Sequence, residues 1–173
     1  MEDQQTCENY PARIVILANL FSVSIYAIGA YVLLGLGIWA AILYLLYCLW
    51  IEISLLRRSC VDCYYYGKAC AFGRGKLCSI LFKKGVPQKF IQKEISLSKM
   101  LPDFMVSLFP IIGGIVLLVM DFSWPIVVLL GVLAILSSAG NAFVRGTFAC
   151  KRCKQRELGC PAEQLFSKQQ QNR

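Results

Sequence analysis

Cysteine is where this sequence concentrates its chemistry. The stretch "CVDCYYYGKAC", residues 60–70, and the stretch "CKRCKQRELGC", residues 150–160, share one frame, C-x-x-C followed by six residues and a third Cys. Nothing between the cysteines matches. A C-x-x-C turn has a physical purpose: it points two sulfurs at one ion while backbone N–H groups face those sulfurs. Metal binding turns thiols into thiolates, and nearby cations favour that charge. Arg57, Arg58, Lys68, Lys151, Arg152, Lys154 and Arg156 crowd the two frames.

The candidate ligands are Cys60, Cys63, Cys70, Cys78, Cys150, Cys153 and Cys160, with Cys7 as an extra. Cys48 falls inside an apolar block and reads as a small hydrophobe. The chain contains no histidine. That excludes mixed Cys/His zinc sites, Rieske centres, haem held by paired His, and any Ser-His or Cys-His couple. Sulfur-only ligation is left, by tetrahedral zinc or by an iron-sulfur cluster on four thiolates.

Two arrangements satisfy four-sulfur ligation. In one, each frame builds its own site. Cys78 completes the first, but the equivalent position of the second is Lys168, so that site needs Cys7 or a ligand from the other half. In the other, one ion sits between Cys60, Cys63, Cys150 and Cys153, as it does between paired knuckles in zinc ribbons, and Cys70 and Cys160 face each other nearby. Basic residues around both frames favour zinc. Pro161 after Cys160 is the weaker mark of an iron-sulfur cluster, and unmetallated redox thiols come third.

These frames are carried by apolar elements. Of the residues, 57% are apolar and 16% charged, with a mean hydropathy of +0.58, far from ordinary soluble composition. The excess lies in residues 14–56 and 104–144, each long enough for two spans of about 20 residues. "VLLGLGI", residues 32–38, and "DFSWP", residues 121–125, supply turns. The expected fold is an all-α membrane protein with four transmembrane helices near 14–31, 36–56, 104–120 and 124–144, arranged as two tandem hairpins. Its segments are an N-terminal stretch 1–13, hairpin 14–56, first frame and linker 57–103, hairpin 104–144, and second frame with tail 145–173. A shift of 90 residues also lays Ile14 on Phe104 and Gly35 on Pro125, which suggests a duplicated unit with a pseudo-twofold axis along the membrane normal.

Charge orients the chain. All 18 Lys and Arg fall outside the two short turns, and the net charge is +8. The positive-inside rule then places both termini and both frames in the cytoplasm, in a cell membrane, where thiols stay reduced and a disulfide scaffold is not expected. The first 13 residues are more acidic than basic, so no cleavable signal is expected. Arg57, Arg58, Lys83, Lys84, Lys89 and Lys93 are expected at anionic headgroups of the bilayer. No nucleic-acid motif accompanies the charge, and no nucleic-acid partner is expected. Residues 83–104 read as a short amphipathic helix at the interface or as an ordered linker.

Weaker signals carry plainer expectations. Glu52 is expected to pair with Arg57 or Arg58. "AFGRGK", residues 71–76, lacks P-loop spacing and reads as a flexible turn. Tyr64, Tyr65 and Tyr66 read as interfacial anchors, with packing around a metal cluster as the sharper alternative. Pro110, Gly113, Gly114 and "SSAGNA", residues 137–142, offer small surfaces for close helix contact. No catalytic residues stand out. The leading functional expectation is a membrane metalloprotein with structural zinc and a basic surface, an accessory to a protein partner or to a second copy. Iron-sulfur electron transfer, a thiol relay, and a small transporter or lipid-handling protein are the alternatives.

Overall fold

The computed structural model describes residues 6–91, 97–144 and 149–160. Lys93, Pro161 and Lys168 lie outside them. The regular structure of the described residues is helical: α1 is Ala12–Leu34, α2 Ile38–Arg58, α3 Arg74–Leu81, α4 Pro87–Ile91, α5 Leu97–Met120, α6 Trp124–Ile135, α7 Asn141–Phe143 and α8 Lys154–Glu157. A 3-10 turn covers Cys60–Asp62, and a π-helical stretch, Leu136–Gly140, joins α6 to α7. Among the described residues the only β pairing is an isolated bridge between Cys7 and Cys153.

Three helices, α1, α2 and α5, are long and apolar enough to cross a membrane. Leu20, Leu43, Ile115 and Val119 stand exposed on them, which water would penalise and lipid does not. The fourth apolar block is not one long α-helix. It is α-helical over Trp124–Ile135, then passes into the π stretch. The Ser137 and Ser138 hydroxyls both donate to the Ala134 carbonyl, at 3.2 and 2.6 Å. Such back-bonding competes with the regular i→i−4 ladder and loosens it. Both expected turns are present. Gly37 takes a positive φ of 136° between α1 and α2, a conformation a side chain would resist. Ser123 precedes α6, and Pro125 stands in its first turn.

The chain divides into two compact units. The helical unit, residues 19–53 and 98–143, packs through small residues as the sequence suggests. Gly113 receives Leu33 and Leu36, Gly114 receives Leu130, and Gly140 receives the Phe21 ring. Pro110 lies inside α5 and is fully buried. Having no N–H, it leaves the Val106 carbonyl one turn back without its helical donor. The Tyr44 hydroxyl donates to that carbonyl at 2.9 Å. The Glu52 carboxylate accepts from the Tyr26 hydroxyl at 2.6 Å, a partner that the reading toward Arg57 and Arg58 did not include.

The second unit, residues up to 18, 54–97 and from 144 onward, holds both cysteine frames. Its core is Tyr10, Tyr65, Ala71 and Ala149, packed against Cys7, Cys63, Cys70, Cys153, Tyr64 and other side chains.

Candidate functional site

The first frame begins where α2 ends. The Cys63 N–H donates to the Cys60 carbonyl at 3.3 Å, and the Tyr66 N–H to the Cys63 carbonyl at 3.1 Å. In the second frame the Cys153 N–H donates to the Cys150 carbonyl at 3.2 Å, and the Arg156 N–H to the Cys153 carbonyl at 3.0 Å. Residues 90 apart thus make the same two bonds, so each C-x-x-C closes the same kind of turn.

The two turns also hold each other. The Tyr64 N–H donates to Gln155 Oε1 at 2.8 Å, and the Lys154 N–H donates to the Tyr65 hydroxyl oxygen at 3.0 Å. A 90-residue shift converts Tyr64 into Lys154 and Tyr65 into Gln155. The pair of bonds is therefore reciprocal, each turn offering the same amide and receiving it on the same side-chain position. Both acceptors are buried, Tyr65 at 2% exposure and Gln155 at 4%.

The N-terminal segment straps this pair. The Cys7 N–H donates to the Arg152 carbonyl at 3.0 Å, and the Tyr65 hydroxyl donates to the Cys7 carbonyl at 2.5 Å. The Tyr10 N–H reaches the Ala69 carbonyl at 2.9 Å, while its hydroxyl donates to the Ala149 carbonyl at 2.5 Å. One residue thus ties the first frame to the second. Burial pushes the Tyr10 phenol far above its ordinary pKa and the Tyr65 phenol up to about 12, so both stay protonated donors.

All nine cysteines are free thiols. Burial raises the Cys63 thiol, while the backbone N–H groups of Tyr65 and Tyr64 act the other way; the neighbouring Cys70 and Cys160 thiols add to the rise. Cys153 is pushed up to about 11 by burial, against the N–H groups of Gln155 and Arg156, with Cys63 and Cys150 as its sulfur neighbours. Amides two residues on from Cys63 and Cys153 therefore face both sulfurs, the feature that suits such a turn to thiolate. Cys70 Sγ accepts from the Gly75 N–H at 3.3 Å. The ionisable groups acting on Cys60 are Cys70, Arg74, Cys78 and Cys63. Arg74 is thus a cation that the sequence reading did not assign to this thiol. Among the described residues, no three or more Cys, Asp or Glu side chains close up as a ready ligand set. The sulfurs are neighbours rather than a finished cage.

Other expected ligands are placed differently. Cys78 is fully buried and its thiol donates to the Leu56 carbonyl at 3.6 Å. Cys150 is exposed, and Cys160 is half-buried behind Gly159, whose positive φ of 96° makes the turn. "AFGRGK" is not a loose turn. Gly73 begins α3 at a positive φ of 69°, and Gly75 is wedged where an added Cβ would strike the Tyr65 and Lys68 carbonyl oxygens. Tyr65 is a core residue, not an interfacial anchor, because its hydroxyl is needed by both Cys7 and Lys154.

The surface charges fall in two groups. Glu8 accepts from Lys154 Nζ at 2.7 Å and lies 3.9 Å from Lys68. The Lys154 hydrogen bond and then that of Tyr64 hold its carboxyl below the ordinary carboxylate range. With Glu8 62% exposed, the pair is screened and adds little stability. Arg57, Arg58, Lys83, Lys84 and Lys89 are exposed, as are Lys151, Arg152 and Arg156 of the second frame. Sequence reasoning missed Tyr10 and Gln155. Gln155 carries no chemical signal of its own, yet its register opposite Tyr65 in the 90-residue shift marks it. Comparisons with family models, with curated proteins and with solved structures find no match to this chain.

Proposed function

We propose that the two frames bind structural zinc between Cys60 and Cys63 on one side and Cys150 and Cys153 on the other. The zinc-stapled unit then presents the exposed Lys151, Arg152 and Arg156 to a partner protein, as an accessory subunit of a membrane assembly. The observation that carries this is the reciprocal pair of bonds, Tyr64 N–H to Gln155 and Lys154 N–H to Tyr65, which sets two like turns side by side. Paired C-x-x-C turns are the architecture of sulfur-only zinc sites. A unit with so small an apolar core gains from a metal, since structural zinc contributes about 10–16 kcal/mol of binding free energy. The exposed Cys150 would have to turn inward to join Cys60, Cys63 and Cys153 around a metal, on a scaffold that is already hydrogen-bonded. In this reading the block from residue 124 to 144 is a fourth crossing, the chain arose by duplication of a hairpin-and-frame unit, and both termini and frames are cytoplasmic.

The test is metal analysis with a visible spectrum on protein purified anaerobically. One zinc per chain in a colourless sample is expected, lost when Cys60→Ser and Cys150→Ser are combined. A folded, reduced sample without zinc ends the proposal. An iron-sulfur cluster is the second reading, favoured by Pro161 directly after Cys160, as after the last cysteine of ferredoxin-type runs. A brown protein bleached by dithionite would decide for it.

A further inference from the structure

The segment Arg74–Ile91 contains five basic residues and no acid. Its helix α3 turns Gly75 and Cys78 into the cysteine unit. On the opposite side, Leu77, Ile80 and Leu81, at positions i, i+3 and i+4, are 48%, 80% and 55% exposed. Further along the segment Val86 and Ile91 are 47% and 40% exposed, with Ile91 beside Gly159. Lys76, Lys83, Lys84 and Lys89 of the same segment are exposed. The helix is held firmly at both ends. Gly75 is wedged against the Tyr65 and Lys68 carbonyls, and the Tyr66 hydroxyl donates to the Phe82 carbonyl at 2.7 Å. Beyond α3, the Gly85 N–H donates to the Val61 carbonyl at 3.0 Å and the Val86 N–H to Asp62 at 3.1 Å. The apolar face is thus a fixed feature of the unit.

Three exposed aliphatic side chains on one helix face mark a docking surface. Its chemistry names the occupant. Four exposed lysines, outnumbering the Asp62 carboxylate bonded to Val86, complement a negatively charged surface, and an aliphatic face beside lysines suits the boundary of headgroups and acyl chains, where lysine stems also lie against apolar material. The chain supplies the address, because α3 follows α2, a helix fit to cross a membrane, by only residues 59–73. That length reaches at most about 50 Å fully extended. We propose that α3 lies in the surface of an anionic bilayer, with Leu77, Ile80 and Leu81 sunk at the headgroup boundary and Lys76, Lys83, Lys84 and Lys89 against lipid anions. The interfacial element is then α3, upstream of the 83–104 helix that sequence alone favoured. This contact does not depend on the metal.

The experiment uses the full chain in nanodiscs of phosphatidylcholine, with or without phosphatidylserine. An environment-sensitive fluorescent amino acid replaces Ile80. Blue-shifted emission is expected, quenched by lipids brominated near the top of the acyl chain and more so with phosphatidylserine present. Combining Lys83→Glu with Lys84→Glu should reduce quenching to the phosphatidylcholine level and leave metal content unchanged, so this outcome is separable from failure of the zinc reading. Hydrogen exchange over residues 74–91 of the unsubstituted chain should slow in anionic discs, free of any perturbation by the probe. Water-like emission without quenching in both discs overturns the proposal. So does equal quenching in both, which removes the anionic requirement. Blue-shifted emission that brominated lipid does not quench, rising with the number of chains per disc, overturns it in favour of a second copy.

Discussion

Tyr65 and Gln155 do the same job from positions 90 residues apart, each accepting the amide that opens the other frame's turn. A buried amide that loses its acceptor costs about 1–3 kcal/mol. Tyr65→Phe strands the Lys154 N–H and also the Cys7 carbonyl, while Gln155→Ala strands the Tyr64 N–H. Each substitution is expected to destabilise the cysteine unit by about that amount, read as the denaturant dependence of Cys63 and Cys153 labelling. The two bonds join the same pair of turns, so the double variant should fall short of the sum by at least about 0.5 kcal/mol. Strict additivity would show that the turns act independently. At this scale the sequence was legible for residue type and opaque for role. The frames announce the cysteines, but nothing in three consecutive tyrosines says that the middle one is buried. Its burial depends on Cys7 and Lys154, which are remote along the chain.

Among the elements, α5 shows how a local break is repaired from outside. Pro110 removes the donor that would satisfy the Val106 carbonyl, and Tyr44 from α2 supplies one. Within lipid an unsatisfied carbonyl has no water to turn to. Tyr44→Phe is expected to lower the thermal stability of the helical unit by about 1 kcal/mol, the scale of polar contacts between membrane helices. Adding Pro110→Ala should restore most of the loss, since the substitution returns a backbone N–H that can donate to the Val106 carbonyl. No rescue would mean that the tyrosine acts through packing alone. The three long helices were readable from length and composition, within three residues at each end except the start of α5, which begins at Leu97, seven residues before the expected 104. The fourth block was less so, because its helix passes into π geometry over Leu136–Gly140, where Ser137 and Ser138 bond back to Ala134. A hydropathy count registers apolar content and is blind to hydroxyls that compete for a carbonyl. The exposed face of α3 was missed for a different reason. Glycines at 73 and 75 signal a turn locally, whereas Gly73 starts the helix and Gly75 seats it against two carbonyls.

For the whole molecule, the division of charge follows the division into units. Among the described residues, every Lys and Arg from 57 to 89 and from 151 to 156 belongs to the unit that carries the frames. If zinc holds that unit together, a chelator should sharply accelerate tryptic cleavage after Arg74, Lys76, Lys151 and Arg152, while the α1–α2 and α5–α6 segments stay intact. Quantifying peptides by mass spectrometry before and after chelation checks this. Cleavage at an unchanged rate would mean that the hydrogen bonds among the frames and the N-terminal strap suffice.

Composition and spacing were enough to establish an apolar, helical chain with membrane-length segments, two sulfur frames and no histidine. Those properties are local or additive: a span needs about 20 apolar residues, and a C-x-x-C turn closes on its own bonds. Which frame residue meets which depends on bringing Tyr65 to Cys7 and Lys154 and Tyr64 to Gln155, and no propensity of a single segment encodes that closure. Folding turned two separate motifs into one reciprocal pair. It also committed Cys78 to the Leu56 carbonyl and turned an aliphatic face of α3 outward. The reason is that a buried amide or carbonyl pairs with whichever group the fold brings within hydrogen-bonding distance, not the one nearest in sequence.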